Sequence, residues 1–405
     1  MKIKHFYGIL LFISYVEVEN DYRLQKAATA YSKQYTKRGI FEMRESSNLT
    51  AAKLAKNDEF YTQYSDIQKE INAYLEYDID TFKGKTVLLP CDDPEWSNFT
   101  RFFAQNFENF GLKKLISTSY AANSKKVQYN QISMFELNSP QYDKEKTNTH
   151  GKIFTLEREA DSSSKIDIEN LKWSYLKGDG DFRSDEVKAL RDESDIIITN
   201  PPFSLFREFL MWILEADKKF LIIGNINCIT YQEVFPRIKE NNIWLGNGMG
   251  RWISGFIVPD SYELYGTEAK IDEDGKRIVA TNNCLWLTNL DHGRRHQPMV
   301  LMSMADNLKY SKHKRIKEDG YPQYDNYNGI DVSFTDAIPN DYDGNMGVPI
   351  TFLDKYCPDQ FEIIGNSSEL AGPVKDKSGK ERKNPGRFYI NGKRKYDRIV
   401  ISRRL

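Results

Sequence analysis

The chain has 405 residues, 40% of them hydrophobic and 13% aromatic, with a net charge of −1. That is enough apolar material for one large α/β domain and a smaller one, and it excludes a disordered chain. Cys91, Cys228, Cys284 and Cys357 are widely scattered with no Cys-x-x-Cys, which argues against a zinc knuckle or a disulfide framework and fits a reducing cytoplasm. The charge is uneven. Residues 373–405 hold twelve Lys/Arg against three Asp/Glu, so the first 372 residues carry −10. A basic tail on an acidic body suggests a footprint for a polyanion, with a solvated tail as the plain alternative.

Residues 1–50 read as an N-terminal extension. Lys2 and Lys4 precede an apolar run over residues 6–16, but no small-residue cleavage site follows, and Glu17, Glu19 and Asp21 come at once. The run is too short to span a membrane, so no membrane partner is expected. Next comes Asp58-Glu59-Phe60-Tyr61-Thr62-Gln63-Tyr64, an aromatic-Thr lead-in to an amphipathic helix with Ile67, Ile71 and Leu75 at spacing four. Residues 86–90 read as the first strand of the main sheet. After it stand Cys91-Asp92-Asp93-Pro94-Glu95, then a helix to about Phe110, with Gly111 as its stop. In a doubly wound fold the loop after strand one contacts a cofactor. Here that loop is acidic rather than Gly-rich, so Asp92 or Asp93 is placed to meet an ammonium or ribose hydroxyls, or else to cap the helix.

Residues 112–118 read as strand two, without the usual acidic residue at its end. Residues 121–172 are polar and read as an insertion. Gly178-Asp179-Gly180-Asp181-Phe182 reads by itself as a Gly/Asp turn. The β-branched run Ile196-Ile197-Ile198-Thr199 then leads into Asn200-Pro201-Pro202-Phe203. The prolines stop the strand and hold the residue before each of them extended. Asn200 is therefore presented on a stiff loop at a strand's carboxyl end, ahead of an amphipathic helix over residues 204–216. This suits an exocyclic base amine, whose lone pair is delocalised into the ring. The Asn200 amide oxygen and the Pro201 carbonyl can accept its hydrogens and favour a more tetrahedral nitrogen, while Phe203 offers a face for a flipped base.

Later strands are read at residues 219–226, 243–245, 256–258 and 284–287, with a hairpin turning at Asp274-Gly275. Pro259-Asp260 with Glu268-Ala269-Lys270 matches a metal-nuclease pattern that is common by chance. His292 and His296 lack a third ligand, so no metal is expected. Arg294 and Arg295 beside them read as phosphate contacts. Two basic clusters follow. One holds Lys309, Lys312, Lys314, Arg315 and Lys317, with Tyr310 inside it and Tyr321, Tyr324 and Tyr327 after it. The other runs from Lys375 to Lys395. Basic residues interleaved with aromatics suit a duplex-binding region over residues 296–405.

Asn-Pro-Pro-Phe resembles the motif of amino-methyltransferases that use S-adenosylmethionine. Taken with Asp58–Tyr64, Cys91–Pro94, Ser97-Asn98-Phe99 and Gly111–Ile116, the chain resembles the EcoRI-type adenine-specific DNA methyltransferase family over roughly residues 54–289. The resemblance implies an α/β fold: a Rossmann-like methyltransferase sheet over residues 51–295, with a mixed C-terminal target-recognition region. It implies methyl transfer from S-adenosylmethionine to N6 of a flipped adenine in double-stranded DNA, by a monomeric bacterial modification enzyme. A cognate restriction endonuclease acting on the same site would be its partner. It assigns Asn200, Pro201, Pro202 and Phe203 to catalysis. It assigns Phe60, Tyr61, Thr62, Asp181 and Phe182 to the cofactor, beside Asp92, Asp93 and Pro94. Gln63 stands where that family usually has proline. Two rival readings keep part of this: the same chemistry on RNA, cytosine N4 or a protein amide, and a DNA-binding protein on a degenerate methyltransferase fold.

Overall fold

A computed structural model describes residues 61–121, 141–158, 173–249, 253–258, 269–272, 275–279, 283–375, 381–383 and 385–404. The expectations for residues 1–50 and for Phe60 lie outside this set, as do Pro259, Asp260 and Glu268 of the nuclease-like pattern. In chain order the first half holds β1 (Tyr61–Thr62), α1 (Tyr64–Leu75), β2 (Thr86–Leu89), α2 (Asn98–Gln105) and β3 (Lys114–Thr118). Then come β4 (Lys152–Glu157), β5 (Trp173–Tyr175), α3 (Asp185–Glu193), β6 (Ile196–Thr199), α4 (Phe206–Glu215) and β7 (Lys219–Asn225). α5 (Phe235–Lys239), β8 (Trp244–Met249), β9 (Phe256–Val258), β10 (Ala269–Ile271), β11 (Arg277–Val279) and β12 (Cys284–Thr288) follow.

The main sheet has eight strands in the order β5-β4-β3-β2-β6-β7-β12-β8. Its centre, β3-β2-β6-β7, is parallel, and β2 and β6 are buried at every residue. Strands covered on both faces are expected to be continuous apolar runs, as Thr86–Leu89 and Ile196–Thr199 are. β12 lies antiparallel between β7 and β8, while β4 extends the other edge antiparallel to β3 and β5 in turn pairs antiparallel to β4. The polar insertion expected over residues 121–172 therefore contains β4, which joins the sheet directly. Its pairing with β3, from Lys114↔Glu157 to Thr118↔Ile153, supplies a partner that local composition does not reveal. A second sheet, β1-β9-β11-β10, joins the aromatic-Thr segment to the chain after β8.

Helix α2 is shorter than expected. The Asn106 side chain bonds the Phe102 carbonyl at 2.9 Å, and turns carry the chain to Gly111 at φ +64°. Phe82, Phe99, Phe102, Phe103, Phe107 and Phe110 bury one face of the sheet. Each contributes roughly 1.5–3 kcal/mol relative to exposure.

The C-terminal part begins with α6 (Met304–Tyr310) and α7 (Lys314–Asp319), followed by β13 (Ile330–Asp331), β14 (Met346–Val348), β15 (Phe361–Asn366) and α8 (Ser367–Leu370). Two small hairpins follow, β16 and β17 (Val374–Lys375, Glu381–Arg382) and β18 and β19 (Tyr389–Ile390, Lys393–Arg394), and then β20 (Ile399–Arg403). β20 is the centre of a sheet ordered β13-β14-β20-β15. This corrects the reading of residues 373–405 as a basic tail: Ile399, Val400 and Ile401 are buried, and three successive apolar residues outweigh the surrounding charge. Ile330, Met346, Phe361, Ile399 and Ile401 share one apolar cluster with Phe206, Phe209, Ile222 and Leu287, so the core runs across position 296. Among the described residues no helix is long and apolar enough to cross a membrane.

Candidate functional site

The strand order reverses at β2, whose chain continues to β3 on one side while β6 joins on the other. Such a reversal opens a crevice beyond the carboxyl ends of the strands. The loop after β2 (residues 90–97) and the loop after β6 (residues 200–205) both emerge there. Because β4 runs antiparallel to β3, Lys152 arrives at the same edge, and the chain leaving β5 brings residues 178–182 to it as well.

Asn200 is half-buried and Pro201 buried. Pro202 (φ −59°, ψ 120°) keeps the loop extended until Phe203–Leu205 forms a single 3-10 turn closed by Leu205 N–H to the Pro202 carbonyl at 3.0 Å. Helix α4 then anchors the loop through buried Phe206, Phe209, Leu210, Trp212 and Ile213. The ring of Phe203 meets Phe256 of β9 edge to face. Phe256 is itself paired with Thr62, and Tyr61 with Ile257. Two segments more than 130 residues apart in sequence are thus joined through one strand. Thr62 is buried, its carbonyl accepts from Asn98 Nδ2 at 2.8 Å, and its Oγ1 has no hydrogen-bond partner among the described residues.

Asp92 is 6% exposed. Its Oδ1 accepts from Ser97 Oγ at 2.6 Å and its Oδ2 from Thr199 Oγ1 at 2.7 Å. Burial pushes its carboxyl up to about 7, against those two hydrogen bonds. Cys91 beside it has its thiol pushed far up by burial and then by the charges of Asp92 and Asp181, so Asp181 also faces this edge. Asp93 accepts from Glu95 N–H at 2.9 Å and sits 3.8 Å from Lys152 Nζ. Lys152 also bonds Glu95, whose other oxygen accepts from Trp173 Nε1 at 3.0 Å. A buried cation from β4 and the adjacent indole thus hold the acidic loop in shape without glycines. Pro94 is buried within it.

Burial raises the Asp181 carboxyl, but hydrogen bonds from the Arg183 side chain and backbone outweigh this and hold it below the usual range. The Arg183 Nε–Oδ1 distance is 2.8 Å. Phe182 is buried against Phe209 and Trp212, with centroids at 5.1 and 5.7 Å. Gly180 makes this turn possible. Its φ is +82°, and a Cβ there would lie 2.1 Å from the Ser119 carbonyl oxygen. Where an acid was missing at the end of strand two, Ser117 Oγ donates to the Asp92 carbonyl at 2.5 Å and Thr118 Oγ1 to that of Pro90 at 3.2 Å.

The aromatic-Thr segment has a second tie. Gln63 Nε2 donates to Ser254 Oγ at 2.7 Å and to the Gly255 carbonyl at 3.0 Å, and Asp66 accepts from Ser254 N–H and Oγ at 2.8 Å. Further along α1, Glu70 accepts from the N–H groups of Asn247 (2.7 Å) and Gly248 (2.9 Å) and from Tyr74 OH (3.0 Å). Burial pushes Glu70 up to about 7. Sequence reasoning did not single out Glu70, Lys152 or Thr199. The available signals were an acid on the apolar face of α1, a lysine opening an apolar strand, and a hydroxyl closing one.

The basic residues divide into two kinds. Arg295 is 8% exposed, bonded to Asp291 and Asn241, with its guanidinium 3.6 Å from the centre of the Trp244 ring. Arg294 bonds the Asn247 carbonyl and Asp354, the latter at 2.7 Å. Arg295 is buried and Arg294 partly exposed, and both guanidinium groups, expected as phosphate contacts, already bond partners within the protein. Lys312, Lys314 and Arg315 are exposed, pairing loosely with Asp336, Glu318 and Asp319. Burial lowers Lys395, against the charge of Asp331 and together with those of Arg315 and Arg398. Tyr324 and Tyr327 instead stack on Phe388 at 4.4 and 4.9 Å, and Tyr321 OH bonds the Ala337 carbonyl at 2.7 Å, so these tyrosines pack inward. His292 Nε2 lies 2.9 Å from the Leu245 carbonyl and His296 pairs with Asp291. Among the described residues no three His, Cys, Asp or Glu side chains are grouped to hold a metal.

The family profile described as "Adenine-specific methyltransferase EcoRI" matches residues 48–404. The chain is 48% identical over 353 residues to the type II methyltransferase M.EcoRI of Escherichia coli, covering 87% of this chain and 95% of that protein. It is 32% identical to M.MpnI of Mycoplasma pneumoniae and to M.MgeORF184P of Mycoplasma genitalium, covering 87% of this chain and 97% of each relative. No solved structure matches the chain.

Proposed function

The chain belongs to the EcoRI family of adenine-specific methyltransferases, a DNA adenine methyltransferase of the restriction-modification type, and from that premise we propose how its site works. Asn200 and Pro201 accept the two hydrogens of the adenine N6 amine, Pro202 stiffens the loop that holds them, and Phe203 stacks on the base once it has left the duplex. Two fixed acceptors draw the amine out of conjugation and leave its lone pair available. Much of the rate comes from positioning and exclusion of water. The observation that carries this reading is the placement of Asn200-Pro201-Pro202-Phe203 at the carboxyl end of β6, beside the loop after β2 where the strand order reverses.

S-adenosylmethionine fits this crevice on one observation: Thr62 Oγ1 is buried with no hydrogen-bond partner among the described residues, on the segment joined to Phe203 through Phe256. When bound, it supplies an electrophilic methyl group on a sulfonium. Tyr61, Thr62, Asp93, Pro94 and Asp181 are the described residues we assign to hold it. Phe182 supports Asp181 from the core. The sheet is of the Rossmann-like methyltransferase kind, and residues 296–405 carry target recognition, with Lys312, Lys314 and Arg315 toward the phosphates. The enzyme acts as a monomer in the cytoplasm, where its double-stranded DNA lies, alongside a nuclease of the same site specificity.

The test is methyl transfer from labelled S-adenosylmethionine to unmethylated DNA of mixed sequence, followed by nucleoside digestion, with wild type beside Asn200→Ala. The expected result is N6-methyladenine from wild type and a loss of most turnover in the variant, with cofactor binding retained. Equal activity in the two proteins overturns the role of Asn200. Label appearing in RNA or protein but not in DNA overturns the substrate.

A further inference from the structure

The loop after β2 in this protein has no glycines, and one of its acids is spoken for from every side. The Asp92 backbone N–H donates to the Thr118 carbonyl at 2.9 Å, and its own carbonyl accepts from Ser117 Oγ. Ser117 Oγ in turn lies 2.7 Å from Thr100 Oγ1 of α2. The backbone of Asp92 is therefore fixed to the end of β3. Its side chain has two partners on two other elements. Ser97 Oγ accepts the N–H of Phe99 at 3.0 Å as the N-cap of α2, so its single proton is directed to Asp92 Oδ1. Thr199 Oγ1 directs its proton to Asp92 Oδ2. All these groups are buried, where a hydrogen bond to a carboxylate is stronger than a neutral one and costly to leave unmade.

We propose that Asp92 is a positioning residue for the catalytic loop rather than a cofactor ligand: its carboxylate holds Thr199 at the carboxyl end of β6 and so sets where Asn200 stands. Thr199 and Asn200 share one planar peptide, with Cα atoms about 3.8 Å apart, so a displaced Thr199 moves Asn200 with it. Through Asp92 the position of the catalytic asparagine is tied both to the N-terminus of α2 and to β3, the elements that frame the crevice. At an exposure of 6%, with each oxygen accepting from a buried hydroxyl, the carboxylate is directed to the protein rather than to an ammonium or a ribose hydroxyl. The inference rests on the reading of Asn200 as the acceptor of the adenine amine.

The experiment compares wild type, Thr199→Val, Thr199→Ser and Asp92→Asn, measuring kcat, KM for DNA, calorimetric affinity for S-adenosylmethionine, and melting temperature. Valine keeps the shape of threonine and removes only the hydroxyl. The expected result is a kcat lowered on the order of 10- to 100-fold in Thr199→Val, with affinity for S-adenosylmethionine within about twofold of wild type. Thr199→Ser, which keeps the hydroxyl, restores kcat. Asp92→Asn keeps one acceptor oxygen and falls between. A Thr199→Val protein with wild-type kcat overturns the proposal, even if it melts earlier. So does an Asp92→Asn protein that loses cofactor affinity while its kcat at saturating cofactor is unchanged. Wild type that transfers no methyl group to DNA overturns the functional reading and this proposal with it, whereas an active wild type beside an equally active Thr199→Val overturns this proposal alone.

Discussion

Phe203 and Phe256 meet edge to face, with ring centroids 6.2 Å apart and planes at 71°. One ring belongs to the catalytic loop, and the other to a strand paired with the aromatic-Thr segment. The contact therefore joins the residue assigned to the flipped base to the residues assigned to the cofactor. Phe203→Tyr should keep the ring face and most activity. Phe203→Ala should lose it, with a rise in KM for DNA and a weaker fluorescence change from 2-aminopurine at the target position. The loss of one aromatic pair should also cost about 0.5–1.5 kcal/mol of stability in denaturant titration. Wild-type kinetics in Phe203→Ala would remove the stacking role.

Glu70 ties α1 to the end of β8, and burial has moved its carboxyl from 4.5 to about 7. A raised folded value means the folded state holds the proton more tightly than the unfolded chain. Its contribution is fully present below 4.5 and is lost as pH rises through about 7, on the order of 3 kcal/mol in all. Glu70→Gln loses an acceptor for one of the two backbone N–H groups and cannot titrate. Its melting temperature should lie below that of wild type at pH 4.5, and the gap should narrow toward pH 8. A gap that widens with pH would contradict this sign.

Gly180 and Gly275 have nearly the same positive φ, +82° and +80°, but not the same surroundings. A Cβ at Gly275 meets nothing within 4 Å, whereas at Gly180 it lies 2.1 Å from a backbone oxygen. Gly275→Ala should cost about 1–2 kcal/mol from strain alone. Gly180→Ala should cost more than that and also weaken S-adenosylmethionine binding, because Ser119 and the turn bearing Asp181 must separate. Thermal melts and calorimetry on the pair separate the two effects.

The two kinds of arginine separate by salt. Lys314→Ala with Arg315→Ala removes two exposed charges whose helix pairs contribute little to stability. The slope of log affinity for DNA against log salt should fall in magnitude by about 2, with the melting temperature nearly unchanged. Arg295→Ala should do the reverse. It strips a guanidinium from the Trp244 face and leaves Asn241 and Asp291 without it, costing about 2 kcal/mol or more, with the salt slope unmoved. A reduced slope in Arg295→Ala would return that residue to the DNA interface.

The sequence by itself determined the elements whose signals are local. Ile196-Ile197-Ile198-Thr199 stopped by two prolines could only be a buried strand ending in a stiff loop, and Asn200 followed as the residue presented there. The periodicity of Ile67, Ile71 and Leu75 determined α1, and Thr86–Leu89 determined β2. Tertiary structure decided what those elements meet. Strand pairing is set by partners far away in sequence, so nothing near residue 152 showed that β4 extends the sheet and brings Lys152 to the acidic loop. Charge on paper does not say whether a group faces water. Arg294 and Arg295 read as phosphate contacts, yet Arg294 pairs with Asp354 and Arg295 is buried against Asp291 and Trp244, while three buried residues of β20 turned a basic tail into the middle of a sheet. Asp92 was legible as an acid in the right loop. Whether its oxygens face a ligand or two hydroxyls depends on how β2, α2 and β6 converge, and hydrogen bonds reach only about 3 Å.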